Sequence, residues 1–225
     1  MIKAVFIDID NTLLDFNACA KTAIKILFGE YNQEFTEEVF EVFLRINGQL
    51  WLEIEKGTLT KEELHKIRWK LIFDELGISV CGEEFEKGFI KTIITCAEPV
   101  DGARDVLKYL SSKYPVFAVS NSGHNQQVAR LEKADMAQFV QKVFLSETIG
   151  FSKPKKEFFD GCFCELSNLS PDEVIIIGDS LSADISGGVA YGLKTCWFNF
   201  LGESLPDGIE PDFVVDKLCD IKDIL

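Results

Sequence analysis

The sequence has no run of basic residues, and positive charge is scarce overall. Its 225 residues include 23 lysine and arginine residues against 37 aspartate and glutamate residues, which gives a formal net charge of −14. Such a surface would repel a phosphate backbone over most of its area. We therefore expect no nucleic-acid partner, although a metal ion, one lysine and helix N-termini can still form a locally positive pocket for a small phosphate ester.

Long apolar segments are also missing. No stretch approaches the roughly 20 residues that a membrane-spanning helix needs. The first residues enter a short apolar run that ends at Asp8, without the apolar segment and cleavage site of a signal peptide. The seven cysteines contain no C-x-x-C pair and lie mostly among apolar neighbours. We expect buried thiols in a reducing cytoplasm and no membrane partner.

Short apolar runs without polar alternation recur along the chain and predict strands buried on both faces of a parallel sheet. They occur at residues 5–7, 116–119, 143–145, 174–177 and 195–198. Between them, apolar positions spaced three or four apart predict amphipathic helices at residues 102–112, 124–134, 155–166 and 182–191. This alternation of strands and helices predicts a doubly wound α/β core.

Residues 16–97 break the alternation, because helical patterns follow one another there without a convincing parallel strand. Thr60 and Glu63 have the spacing of a capping box at the start of one such helix. The simplest interpretation is a four-helix insertion after the first strand of the core. We expect a core domain of residues 1–15 and 98–225 and an inserted helical domain of residues 16–97, a size that the chain length allows.

Two carboxylates follow the first predicted strand, in the segment Asp8-Ile-Asp10-Asn-Thr12. In an α/β sheet, ligands bind at the carboxyl ends of the strands. The two acids could share a hard cation such as Mg²⁺, or divide the roles of nucleophile and acid/base. A pair of acids at a strand end can equally cap a turn, so this segment alone leaves the choice open.

Three further segments carry polar residues at a strand end or a helix start. Ser120 and Asn121 end a strand ahead of a helix, where they can bind a phosphate oxygen or act as ordinary helix caps. Lys153 precedes a proline that can open a helix, and it is either a solvated surface residue or a charge that balances carboxylates. Asp179 follows a buried strand, and Asp184 is either a metal-site residue or an acid favoured by a helix dipole.

Together, the segments Asp8-x-Asp10-x-Thr12, Ser120, Lys153 and Gly178-Asp179-x4-Asp184 resemble the four motifs of the haloacid dehalogenase (HAD) superfamily. The motifs occur in the order of that superfamily, and the resemblance covers the whole chain. It implies a Rossmann-like α/β core with an inserted helical-bundle cap domain. Such a cap can close over the site and exclude water.

The resemblance also implies roles for individual residues. Asp8 would attack phosphorus to form an aspartyl-phosphate, and Asp10 would protonate the leaving oxygen and then deprotonate water. The implied catalytic residues are Asp8, Asp10 and Lys153. The implied contacts to the phosphoryl oxygens are Ser120, Asn121, Lys153 and Thr12. The implied ligands of Mg²⁺ are the Asp8 carboxylate, the Asp10 backbone carbonyl and Asp179, with Asp184 in support.

An aspartate at position 10 favours phosphate ester chemistry, because the dehalogenases of the superfamily lack it. The helical insertion resembles the cap of a branch that includes phosphoglycolate phosphatases, β-phosphoglucomutases and nucleotidases. Residues 50–64 and 178–199 look like bacterial 5′-nucleotidases that act on pyrimidine and non-standard nucleoside monophosphates. Trp51, Arg68 and Trp69 could then contact a base, although aromatic residues at helical spacing are more often part of a core.

Several functions remain open at this point. The resemblance implies a Mg²⁺-dependent phosphatase for a small phosphorylated metabolite, in particular a nucleoside monophosphate. A phosphoglycolate or sugar-phosphate phosphatase and a β-phosphoglucomutase-like phosphomutase would use the same Asp8 and Asp10. A binding protein without activity is disfavoured, because every expected catalytic residue is present. We expect the chain to act as a monomer or homodimer.

Overall fold

A computed structural model describes residues 1–225, apart from the side chains of residues 124 and 125. The chain forms two compact units. The first comprises Met1–Asp15 and Ala97–Leu225, and the second comprises Phe16–Cys96. Both sheet faces of the first unit and the interior of the second bury clusters of apolar side chains.

A parallel sheet of six strands lies at the centre of the first unit, counted over the described residues. The strands are β1 (Ala4–Asp8), β2 (Val116–Ser120), β3 (Lys142–Leu145), β4 (Val174–Gly178), β5 (Lys194–Phe198) and β6 (Phe213–Val215). Their spatial order is β3-β2-β1-β4-β5-β6, which is the order of a doubly wound fold. The predicted fold class is confirmed, whereas the short strand β6 was not predicted.

The helices account for most of the remaining chain. They are α1 (Phe16–Glu30), α2 (Glu37–Lys56), α3 (Lys61–Leu76), α4 (Gly82–Ile93), α5 (Ala103–Lys113), α6 (His124–Lys133), α7 (Ser146–Ile149), α8 (Lys156–Glu165) and α9 (Ser186–Tyr191). Within the described part of the chain, none of them combines the length and the apolar character needed to cross a membrane.

Alternate residues of each strand face opposite sides of the sheet. In β1, Val5 and Ile7 belong to a buried cluster that includes Leu110 of α5. Phe6, between them, belongs to a second cluster that includes Phe158 of α8. Because successive strand side chains point to opposite faces, helices that cover both faces require apolar residues at every position. This is why the strands lack polar alternation.

The second unit contains α1 to α4, and local signals set the ends of its helices. The Thr60 hydroxyl accepts a hydrogen bond from the Glu63 N–H, and the Glu63 carboxylate accepts one from the Thr60 N–H at 2.8 Å. This is the predicted capping box at the start of α3. Gly57 ends α2 with a φ of 78°, a left-handed conformation that glycine adopts without a Cβ clash.

The interior of the second unit contains two of the three residues for which a base contact and a place in the core were the alternatives. Trp69 has no exposed surface and stacks on Phe43 with ring centroids 5.5 Å apart. Arg68 is 3% exposed and donates to both carboxylate oxygens of Glu86, at 3.1 Å from Nε and 2.5 Å from Nη2. Arg68 and Trp69 are therefore part of the core, the second of the two alternatives. Trp51 is partly buried against the same cluster, and its contact with a base stays a prediction.

Candidate active site

Three candidate site residues lie where strands of the sheet end. Asp8 is the last residue of β1, Ser120 is the last residue of β2, and Asp179 directly follows β4. Strand β1 pairs in parallel with both β2 and β4, so the three residues lie side by side at the carboxyl ends of the strands. We call this side of the sheet the sheet edge. The strand order reverses between β1 and β4, and a crevice at such a switch point is where doubly wound folds bind ligands.

Lys153 is buried at this edge and uses all three N–H groups of its ammonium. Its Nζ donates to Asp8 Oδ1 at 2.6 Å, to Asp184 Oδ1 at 2.6 Å and to the backbone oxygen of Val119 at 3.1 Å. Burial alone would lower the pKa of Lys153, but the charges of Asp184 and Asp8 outweigh burial and raise its pKa above the ordinary value. Lys153 is therefore a fixed cation in the site.

Three carboxylates surround this cation. Oxygen atoms of Asp8, Asp179 and Asp184 all lie within 4.8 Å of one another. Burial raises the pKa of Asp8 well above its ordinary value, and the charge of Lys153 opposes that effect while Asp184 and Asp179 add to it. Burial, with the charge of Asp184 as the next cause, raises the pKa of Asp179 to about 8. Further positive charge would favour the ionised form of both acids.

This donor set fits a hard divalent cation. Mg²⁺ prefers oxygen ligands, and the cluster offers three carboxylates to the single positive charge of Lys153. If all three acids are ionised, two negative charges remain for the metal to balance. The carboxylate of Asp10 is not part of this cluster in the described structure, and a contact of its backbone carbonyl with the metal stays a prediction.

Two buried side chains hold the segment that carries Asp179. The hydroxyl of Thr12 accepts from the Asp179 N–H at 3.1 Å and donates to Asp179 Oδ1 at 3.3 Å. Trp197 of β5 donates from Nε1 to the backbone oxygen of Asp179 at 2.9 Å. Thr12 has no exposed surface and links the first motif to Asp179, while its contact with a phosphoryl oxygen stays a prediction. The contact of Trp197 was not predicted.

A glycine at the end of β4 makes room for Asp184. A Cβ atom at Gly178 would lie 2.2 Å from Asp184 Oδ2, well inside van der Waals contact. Asp184 belongs to a single π-helical turn, Leu181–Ile185, whose start is capped by the Ser180 hydroxyl accepting from the Ala183 N–H at 3.0 Å. Such turns are frequent at functional sites. Here the turn directs the Asp184 carboxylate to Lys153.

The second motif contributes one positioning side chain and one candidate phosphate ligand. Asn121 Nδ2 donates to the Lys153 backbone oxygen at 2.9 Å, and Asn121 Oδ1 accepts from the Lys153 N–H at 2.8 Å. Its amide therefore anchors the Lys153 segment, and its contact with a phosphoryl oxygen stays a prediction. Ser120 is nearly buried, and its Oγ accepts from Gln127 Nε2 at 3.0 Å and from the Ser122 N–H at 3.1 Å.

Three donors that were not predicted from the sequence bind the Asp10 carboxylate. Arg130 Nη1 donates to Oδ1 at 2.5 Å. Gln127 Nε2 and Ser122 Oγ donate to Oδ2 at 2.5 and 2.9 Å. Gln127 and Arg130 stand three apart in α6, which places them on one helix face. That spacing was a usable signal, but polar helical residues are usually assigned to the solvent side.

Comparison with known proteins gives the class of this chain. The family model for haloacid dehalogenase-like hydrolases matches residues 2–192. That range contains the four carboxylates of the site and Lys153, from Asp8 to Asp184. The chain therefore belongs to the haloacid dehalogenase-like hydrolases, as the resemblance of the motifs implied.

Similar proteins cover almost the full length of the chain. YfnB of Bacillus subtilis, which carries the name of a HAD-hydrolase, is 32% identical over 99% of this chain and 95% of its own. A crystal structure of YfnB bound to magnesium has a TM-score of 0.94 and covers 100% of this chain and 98% of its own. The pyrimidine 5′-nucleotidase YjjG of Escherichia coli is 28% identical over 98% of this chain and 96% of its own.

More distant structures share the fold alone. The 2-haloacid dehalogenase of Pseudomonas syringae has a TM-score of 0.67 at 19% identity, covering 100% of this chain and 98% of its own. Because one fold serves different reactions, this similarity does not select between halide displacement and phosphate ester hydrolysis. The choice depends on the residues of the site.

Proposed function

We propose that this chain is a Mg²⁺-dependent phosphatase that hydrolyses small phosphomonoesters through an aspartyl-phosphate at Asp8. The observation that carries the proposal is the separation of two neighbouring carboxylates. Asp8 lies against Lys153 inside the carboxylate cluster, whereas the Asp10 carboxylate lies outside it and is held by α6. A carboxylate outside the metal cluster suits proton transfer to a leaving oxygen, which ester hydrolysis needs and halide departure does not.

In the first half of the proposed reaction, a carboxylate oxygen of Asp8 attacks phosphorus while the bond to the leaving oxygen breaks. Asp10 gives its proton to that oxygen. Lys153 stays cationic, because Asp184 and Asp8 raise its pKa, and it stabilises charge on the transferring group. The Ser120 hydroxyl is the proposed ligand of a phosphoryl oxygen. When bound by Asp8, Asp179 and Asp184, Mg²⁺ supplies Lewis-acid stabilisation of the phosphoryl charge.

The second half returns the enzyme to its starting state. Asp10, now ionised, takes a proton from a water molecule as the water oxygen attacks phosphorus. The bond between phosphorus and the Asp8 oxygen breaks, inorganic phosphate leaves, and Asp10 again carries the proton. Asp10 therefore acts once as an acid and once as a base in each turnover.

We further propose a nucleoside 5′-monophosphate as the substrate, with pyrimidine nucleotides preferred. The support is the similarity to two named pyrimidine 5′-nucleotidases, YjjG and PynA of Streptococcus pneumoniae, the latter 28% identical over 88% of this chain and 84% of its own. We also propose that residues 16–97 form a cap domain inserted into a core of residues 1–15 and 98–225, and that cap residues contribute to the choice of substrate.

The test is phosphate release from a panel of nucleoside monophosphates, sugar phosphates and phosphoglycolate, with Mg²⁺ and with chelator. We expect Mg²⁺-dependent release that is fastest with pyrimidine nucleotides. Asp8→Asn keeps the shape of the side chain but removes the nucleophile, so turnover should fall at least ~10³-fold. The control is Asp160→Asn, which alters an exposed carboxylate on α8 that pairs with Lys156 and should leave the rate unchanged.

Each outcome bears on a different part of the proposal. Turnover in a folded Asp8→Asn protein would refute the assignment of the nucleophile. Full activity in chelator would refute the metal dependence. A product that keeps its phosphoryl group at a new position would indicate a phosphomutase, since only a hydrolase releases inorganic phosphate at every turnover.

A further inference from the structure

Two polar side chains of α6 are buried against the proposed catalytic residues. Gln127 and Arg130 have no exposed surface. An arginine is seldom fully buried unless its charge is paired, and a buried amide needs hydrogen-bond partners. The partners of these two side chains include Asp10 and Ser120, the proposed acid/base and the proposed phosphate ligand.

The hydrogen bonds among these four residues have a defined direction. Arg130 Nη1 donates to Asp10 Oδ1 at 2.5 Å and to Gln127 Oε1 at 3.1 Å. Gln127 Nε2 donates to Asp10 Oδ2 at 2.5 Å and to Ser120 Oγ at 3.0 Å. Because a guanidinium can only donate, Arg130 fixes the orientation of the Gln127 amide, with its oxygen toward Arg130 and its nitrogen toward Asp10.

Asp10 is a residue whose position needs such support. It lies beyond the end of β1, next to Asn11 with its φ of 60°, and its side chain is 21% exposed. A partly exposed side chain without fixed partners populates several rotamers. A proton donor must lie within hydrogen-bond reach of the leaving oxygen, and a displacement of about 1 Å can lower a rate by ~10²-fold.

We propose that Arg130 and Gln127 are positioning residues that hold the Asp10 carboxylate for both of its proton transfers. Through its second donor bond, Gln127 also keeps Ser120 in a fixed relation to Asp10. This assignment rests on the proposed phosphatase function, and it gives neither residue a contact with substrate. The competing account is that Arg130 only neutralises a carboxylate in the interior and supports the fold.

The two accounts differ in how the effect of Arg130→Met depends on the leaving group. The full-length variant is compared with wild type, with Mg²⁺, on 2,4-dinitrophenyl phosphate and on the best alkyl monophosphate of the substrate panel. Dinitrophenolate leaves without being protonated, so formation of the aspartyl-phosphate bypasses Asp10 as an acid. Hydrolysis of the intermediate still needs Asp10 as a base.

For the positioning role we expect a rapid burst of about one dinitrophenolate per site in the variant. The steady state that follows should be ~10–100-fold slower than in wild type. With the alkyl ester the first step itself becomes slow, so no burst forms, and kcat falls by a similar factor while KM changes less than ~3-fold. Arg104→Met, which removes an exposed pair with Asp135 in the same unit, is the control and should behave as wild type.

A second comparison removes the carboxylate on which the positioning acts. In an Asp10→Asn background, Arg130→Met should lower the rate less than ~2-fold further, because the two changes disable the same step, whereas independent effects would multiply. If Arg130→Met does not fold, Gln127→Leu removes the contacts to Asp10 and Ser120 while keeping the arginine. The same burst is expected from it.

The results that would overturn the positioning role are specific. One is that Arg130→Met slows both steps equally with both substrates. The other is that Arg130→Met lowers the rate of the Asp10→Asn protein by the same factor as it lowers the rate of wild type. Failure of the proposed function would be visible separately, because turnover would then survive Asp8→Asn whatever the effect of Arg130→Met.

Discussion

Replacing Lys153 by methionine should destabilise the first unit as well as abolish turnover. Methionine keeps an unbranched apolar stem of similar length but has no donor and no charge. The change therefore leaves Asp8 and Asp184 buried without the ammonium that both now contact at 2.6 Å. It also leaves the Val119 backbone oxygen without the donor at 3.1 Å.

The size of the effect follows from the burial of the group. Lys153 is 1% exposed, and removing one partner of a buried ion pair costs roughly 3–5 kcal/mol, because the remaining charge stays in the interior. For a protein of this size, about 1 kcal/mol changes the melting temperature by ~2–4 °C. We therefore expect the melting temperature of the variant to fall by ~6–20 °C when measured in chelator.

The stability that Lys153→Met removes should be larger at higher pH. Burial already holds the pKa of Asp8 above its ordinary value, and the charge of Lys153 opposes that shift, so Lys153→Met raises the pKa further. An acid whose pKa is higher in the folded state adds stability that is present below its unfolded pKa, about 4, and is lost as pH rises through the folded pKa. The deficit of the variant should thus be larger near about pH 8 than near about pH 5.

The assay is thermal unfolding followed by circular dichroism at both pH values, in chelator and in Mg²⁺. The control is Lys156→Met, which removes an exposed lysine paired with Asp160 and should change the melting temperature little. Added Mg²⁺ should restore part of the stability of Lys153→Met, because the cation balances the same carboxylates. A variant as stable as wild type at the higher pH would refute the reasoning.

Three further predictions concern the metal site. Burial raises the pKa of Asp179 to about 8, so the stability of wild type in chelator should fall between about pH 5 and about pH 8. Mg²⁺ should make this fall smaller. The same dependence of stability on pH with and without Mg²⁺ would contradict the metal assignment. Gly178→Ala places a Cβ 2.2 Å from Asp184 Oδ2, which displaces the Asp184 carboxylate, so kcat should fall ~10²-fold. An unchanged kcat would show that the position of Asp184 does not depend on a glycine at residue 178. Trp197→Phe removes the donor to the Asp179 backbone oxygen, and a Mg²⁺ titration should show a ~10-fold higher half-saturation, whereas an unchanged value would leave Trp197 without influence on the metal.

Most of the sheet could be predicted from the sequence, and one strand was missed. The runs at residues 5–7 and 174–177 correspond to β1 and β4 within one residue at each end, because strands covered on both faces are apolar at every position. Strand β6 was not predicted. It is a three-residue edge strand in which Phe213 and Val214 are exposed. Its sequence, Phe213-Val214-Val215, is an apolar run as long as the one at residues 5–7, so the same pattern was available for it.

Four residues have a type that suits ligand binding but contact other parts of the protein in the structure. Thr12 and Asn121 have the polar groups of a phosphate ligand, yet both are engaged in holding other site residues. Arg68 and Trp69 have side chains suited to a base, yet both lie in the interior of the helical unit. A helical pattern predicts which residues share a face, but it does not determine what that face contacts.

The sequence by itself determined which acids meet at the sheet edge. Asp8 ends one buried strand and Asp179 follows another, and parallel strands bring their carboxyl ends to one side of a sheet. The partners of those acids were decided by the tertiary structure. Lys153 is 145 positions from Asp8, and Arg130 is 120 positions from Asp10. A hydrogen bond acts over about 3 Å, so contacts between such distant residues depend on how the helices pack on the sheet, which no local pattern records.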